Sequence, residues 1–227
     1  MNRCHRGVAA LVGPMATLLV VSGCASVVAG SPTWPGATLE KVVLTAADFP
    51  PGVQFDRVTD DGASGGPGGS SGPPAMLTEP AGCSDGLTRV IAESAERGPG
   101  SAAQIVAAYD GARMVLTVLT SPLPMERLEA TAARCARFST YFDPSDTGIP
   151  MTTTRMAGTR DSALVYQQTM RLGRDEQSIY FAFENVGTWS VFGIAFPTPD
   201  PSIVAKGELP QTFLDVFDHQ AQRLTQR

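Results

Sequence analysis

The chain's pattern predicts an α+β fold, an antiparallel β-sheet with helices packed on one face, and three observations carry that prediction. Strand-like runs follow one another between residues 151 and 196 without intervening helices, and consecutive strands of this kind pair antiparallel. An Asp110-Gly111 step separates the apolar runs Ala102–Tyr109 and Ala112–Thr120; both residues tolerate positive φ, so the step marks a tight hairpin. A last segment places Phe213, Val216, Phe217, Ala221 and Leu224 on one helical stripe, an apolar face that another layer has to cover. With 43% hydrophobic and 17% charged residues in a length of 227, one globular core is within the chain's means.

The predicted domain covers residues 39–227. Val42-Val43-Leu44 reads as a strand-like segment, and Asp48, Pro50 and Pro51 turn the chain. Residues 60–75 hold almost nothing but Gly, Ser, Pro and Asp and read as a flexible surface loop inside the domain. Ser84 is the expected N-cap of a helix over Asp85–Ala95, with Leu87, Val90, Ile91 and Ala95 on its apolar face. After the hairpin, Pro122 and Pro124 end the second strand. They open a helix over Met125–Thr140 with Leu128, Ala132, Cys135 and Phe138 on one stripe. Asp143–Pro150 is a loop. Strands follow over Met151–Ala157, Ala163–Leu172, Ser178–Val186 and Thr188–Phe196, with turns at Arg174–Glu176 and Asn185–Gly187. Pro210 opens the final helix.

The N-terminus carries a different signal. Arg3 and Arg6 precede the apolar run Val8–Val21, and Ser22-Gly23-Cys24 follows. A charged segment before a short apolar run is the layout of an export signal, and the run is shorter than the roughly 20 residues that span a bilayer. Val21-Ser22-Gly23-Cys24 resembles the lipobox of bacterial lipoproteins: an aliphatic residue, two small residues and a cysteine. The resemblance implies removal of residues 1–23 and acylation of the Cys24 thiol. The product would be a lipid-anchored protein on the extracytoplasmic face of the cell membrane. Two or more acyl chains are what make such an anchor stable. Residues 24–38 would then be the lipidated N-terminus and a small, polar tether.

Removing Arg3 and Arg6 leaves 15 basic against 22 acidic residues, a formal charge of −7. An acidic domain without a basic run is not expected to bind nucleic acid, whose phosphates demand cationic partners. Two cysteines remain beyond Cys4 and Cys24, namely Cys83 and Cys135. In an exported protein two such thiols most simply pair, and closing the loop between them stabilises by at most about 4 kcal/mol. A redox-active or metal-binding pair is the alternative, but no CxxC spacing exists.

Chemistry-bearing motifs are scarce. There is no GxSxG elbow and no GxxxxGK[ST] loop, and Gly65–Gly69 lacks the Lys and following helix of a phosphate cradle. His219 is the one histidine past the export segment and falls on the exposed side of the last helix, so no triad and no His/Cys metal set is expected, and no cofactor. The acidic pairs Asp60-Asp61 and Asp143–Asp146 read as solvated loops. Aromatic residues concentrate after residue 166, mostly as core. Tyr166, Tyr180 and Trp189 form a candidate binding face, because Tyr180, Ala182 and Glu184 alternate with Phe181 and Phe183.

The lipobox, the Leu44–Gly52 entry (LTAADFPPG), Cys83 ahead of one helix, Cys135 in the next, the strand meander and the aromatic last helix together are similar to a mycobacterial lipoprotein pattern. The layout also resembles the extracellular sensor domain of a mycobacterial Ser/Thr kinase of the PknH type, over most of residues 39–227. That sensor domain has two disulfides around a cleft, whereas the cysteines here suffice for one. The resemblance implies a non-enzymatic module that binds an envelope ligand or protein partner. A lipid or glycolipid carrier with a large apolar cavity is the alternative, and an envelope hydrolase with converging polar groups is a third.

Overall fold

The computed structural model describes residues 35–58, 76–95, 98 and 100–226. The export segment, Cys24 and the Gly/Ser/Pro segment 60–75 lie outside them. The elements in chain order are α1 (Pro35–Val42), a 3-10 turn (Ala46–Asp48), β1 (Gln54–Val58), β2 (Leu77–Glu79), α2 (Gly86–Ser94), β3 (Ala102–Tyr109), β4 (Ala112–Leu119) and α3 (Met125–Arg134). They continue with β5 (Arg137–Tyr141), β6 (Ile149–Met156), β7 (Leu164–Leu172), β8 (Asp175–Val186), β9 (Trp189–Phe196) and α4 (Gln211–Thr225).

The nine strands form one sheet in the order β1-β3-β4-β9-β8-β7-β6-β5-β2, and every pairing is antiparallel. The β3–β4 hairpin turns at Asp110-Gly111 as its sequence dictates. Gly111 has φ +100°, and a Cβ there would stand 2.5 Å from the Gly207 carbonyl oxygen, so only glycine fits.

Four helices pack on the sheet, but they divide between its faces instead of gathering on one. On the front, α1 and α4 cover Ile105, Ala107, Met114, Leu116, Tyr180, Ala182, Val191 and Ala195. On the back, α2 and α3 cover Leu164, Tyr166, Phe181, Phe183 and Phe192. The reason lies in the central strands. Successive side chains of a strand point to opposite faces, and in β8 and β9 both sets are apolar: Tyr180 and Ala182 on one side, Phe181 and Phe183 on the other. A sheet centre that is apolar on both sides needs two covers. Gly193 shapes the front one, since a Cβ there would lie 2.7 Å from Cε2 of Phe213. Its absence lets the Phe213 ring of α4 lie directly on β9.

Cys83 and Cys135 are bonded, with Cα atoms 5.5 Å apart, and both are buried. The bridge joins the approach to α2 with the end of α3, so it holds the back layer together. Phe138 and Met151 pack around it.

Other local readings change. Val42-Val43-Leu44 is the end of α1 and the residues after it, not a strand. Leu39, Val42 and Val43 are buried at helical spacing, and Gln220 of α4 clamps the exit: it accepts from the Leu44 N–H at 3.0 Å and donates to the Val42 carbonyl at 2.9 Å. The helix opens at Pro35, inside the stretch read as a tether. Ser84 does not cap α2; its hydroxyl donates to the Met76 carbonyl, and Asp85 takes the N-cap position without a side-chain bond. Helix α3 stops at Arg134, and Arg137–Tyr141 is a strand instead of its last turns. Phe138 and Thr140 are buried while Arg137 is exposed, the two-residue period of a strand.

Candidate binding surface

The residues read as one binding face do not share a face. The β7–β8 register pairs Tyr166 with Phe181 and Gln167 with Tyr180, so Tyr166 and Tyr180 point to opposite sides of the sheet. Tyr166 is buried on the back. The Arg155 guanidinium lies 5.6 Å from its ring centroid, and burial raises its phenol above the ordinary value while Arg155 opposes that shift. Tyr180 is buried on the front, and Trp189 packs partly buried against the same front core. Two of the three rings are thus buried, on opposite sides of the sheet, and the third is partly buried.

Helical cover on the front reaches β3, β4, β9 and β8; on the back it reaches β6 and β7, the aromatic rows of β8 and β9, and the ends of β3 and β4 at Ala102 and Leu119, and Ile194 packs against its edge. Two parts of the sheet therefore carry no helix among the described residues: the front of β7, β6, β5 and β2, and the rows of the back nearest the Asp110-Gly111 turn. The front of β7, β6, β5 and β2 is polar and self-contained. Gln167 donates to the Ser178 hydroxyl at 2.8 Å, Thr169 and Ser178 share a hydrogen bond of 2.8 Å, and Arg171 donates through Nε to Glu176 at 2.8 Å. Thr152 and Thr154 are exposed beside them.

The back of β1, β3, β4 and β9 has a different composition. The register aligns Asp56, Val106, Val115 and Ile194 in one cross-strand row, and Gln54, Ala108, Arg113 and Phe196 in the next. Val106, Ala108, Val115 and Ile194 are partly exposed, Phe196 is 37% exposed, and Val58 at the strip's edge is 47% exposed. Asp56 and Arg113 are both exposed, and neither has a hydrogen-bond or ion-pair partner among the described residues. A contiguous apolar strip on a sheet face is the kind of exposed surface that marks an interaction site. No motif announces it. The available signal is the composition of β3, AAQIVAAY, which lacks the polar alternation of a half-solvated strand.

Two cavities among the described residues are small or open. One of about 20 Å³, room for a water molecule, lies between Cys83, Asp85, Thr88, Gln168 and Phe181. Another of about 300 Å³ is an open depression at the start of α3, lined by Leu123, Pro124, Met125, Glu126, Arg127 and Asn185. Among the described residues the most buried carboxylate is Glu184 of β8. It accepts from Arg160 Nε at 2.8 Å and from the Ser162 hydroxyl at 2.6 Å, and Arg160 also lies 3.8 Å from Asp218 of α4. This group ties α4 to the sheet. His219 is exposed on α4, and no three His, Cys, Asp or Glu side chains among the described residues are placed to hold a metal ion. No described helix is long and apolar enough to cross a membrane.

Fold and surface together define an α+β protein whose single antiparallel sheet is covered on opposite halves of its two faces. No family model matches the chain, and no curated protein matches it. Among solved structures it is similar to an uncharacterized protein of Mycobacterium smegmatis, the Rv0999 ortholog. The identity is 15% and the TM-score 0.47, over 84% of this chain and 95% of that one.

Proposed function

We propose that this chain is an extracytoplasmic lipoprotein, anchored through Cys24, whose domain is a non-enzymatic binding module. The observation that carries the binding role is the bare apolar half-face on the back of β1, β3, β4 and β9, where Val106, Val115, Ile194 and Phe196 stand partly open to solvent. Export is supported by the buried Cys83–Cys135 bond, which belongs to an oxidising compartment. It is also supported by the charged segment, apolar run and lipobox-like Val21–Cys24 of the sequence. The polar loops and the open depression at α3 offer no comparable surface.

Growth of an actinobacterial host with an alkyne-tagged palmitate tests the anchor. The chain is expected to take up the label and to sediment with membranes. A Cys24→Ala variant is expected to lose the label while its Cys83–Cys135 bond still forms. Label retained in the Cys24→Ala variant contradicts the anchor.

A further inference from the structure

The geometry points to a second copy of this chain as the occupant of the apolar half-face. The strip carries one unpaired carboxylate, Asp56 on β1, and one unpaired guanidinium, Arg113 on β4, on the same side of the sheet and separated by β3. Both are exposed, and neither meets an opposite charge among the described residues. Within one molecule they sit in adjacent cross-strand rows on strands two apart, and no ion pair joins them. A two-fold axis lying between two stacked sheets brings Asp56 of one copy over Arg113 of the other, and the reverse pair forms at the same time. Self-complementarity of this kind is what a two-fold interface requires. Val106 and Ala108 of β3 lie between the charges, so the same operation sets the aliphatic centre of one strip against that of the other, at the spacing of about 10 Å at which sheets stack. A partner that used apolar contact alone would leave both charges without a role.

The strip is small. Four strands and two to three rows extend over roughly 300 Å², well under the ~800 Å² per partner of complexes that persist in dilute solution. Pairing therefore draws on confinement, which raises the effective concentration of anchored copies. In this respect the inference rests on the membrane anchor proposed above.

The test uses the full chain in the membranes of an actinobacterial host. A benzophenone amino acid is placed at Val115 and, in a separate variant, at Phe196, and intact cells are irradiated. A crosslinked band at twice the chain's mass is expected from both positions and not from Thr152 on the polar half-face. The band is expected to fall about tenfold or more in Asp56→Arg and in Arg113→Asp, where like charges oppose, and to return in the double reversal. Non-reducing electrophoresis confirms the Cys83–Cys135 bond in each variant. Adducts of other masses only, or a double reversal that fails to restore the band, overturn the second copy as occupant. Palmitate labelling of the same cells reads the anchor separately. A labelled chain without the band overturns the pairing alone, and an unlabelled chain with the band overturns the anchor alone.

Discussion

The two uncovered parts of the sheet differ in what their side chains do for one another. On the front of β7, β6 and β5, hydroxyls, an amide and an ion pair bond across strands, and Thr152 and Thr154 face water. That surface is finished: each polar group has a partner or solvent, as on the wet side of an ordinary antiparallel sheet. On the back of β1, β3, β4 and β9, aliphatic side chains occupy the same kind of position, and the two charges beside them are unpaired. The difference shows that helical cover alone does not decide where a sheet is incomplete. The chemistry of the residues left outside the cover does.

Energetics separate covered from bare halves most sharply. Phe213 is fully buried over Gly193 in the front core, so Phe213→Ala is expected to lower stability by about 3–5 kcal/mol in urea unfolding. Val115→Thr, on the bare half, keeps the β-branched shape and is expected to change stability by less than about 0.5 kcal/mol. A comparable loss at Val115 would mean that this half is already covered, and the contrast would collapse.

A smaller effect is expected at the rim of the covered front, where Arg223 of α4 donates to Asp48 at 2.7 Å and the Thr45 N–H and hydroxyl donate to the same oxygen. Burial works to raise the Asp48 carboxyl, but the Thr45 bonds and the Arg223 charge together hold it below its ordinary value of 3.8. A carboxyl depressed on folding contributes stability above its unfolded pKa and loses it as pH falls through the folded one. Asp48→Asn should therefore lower Tm at pH 7, by an amount corresponding to about 1 kcal/mol. The gap to the unsubstituted protein should close below about pH 4. A gap that stays constant from pH 7 to pH 3 would remove the carboxylate from this role.

Much of the fold was legible because short-range chemistry dictates it. Asp110-Gly111 specifies a hairpin by itself, the last helix announces its buried stripe from Phe213 to Leu224, and counting the thiols leaves Cys83 and Cys135 to each other. Register and layer assignment were not legible. Whether Tyr166 stands opposite Tyr180 or Phe181 depends on the β7–β8 alignment, and a one-residue difference moves a side chain to the other face. The doubly apolar centre of β8 and β9 demands two covers, but a run of aromatics is equally compatible with one core when its register is unknown. Cys135 lies on a helical stripe by spacing, yet the chain leaves the helix there, where the bond to Cys83 and the alternation of β5 take over. The apolar strip is not legible in sequence because β3 and β4 have the composition of ordinary core strands. Among the described residues, no helix covers the rows of their second face nearest the turn.

The most direct measurement is carbene footprinting of the full chain in its own membranes, with the urea-unfolded chain as the reference for intrinsic reactivity. If the apolar half-face is the interaction surface, Val106, Val115 and Ile194 will label several-fold less than their partial exposure allows, while Thr152 and Thr169 label in proportion to theirs. Labelling in proportion to exposure on both halves would contradict a binding role for the strip.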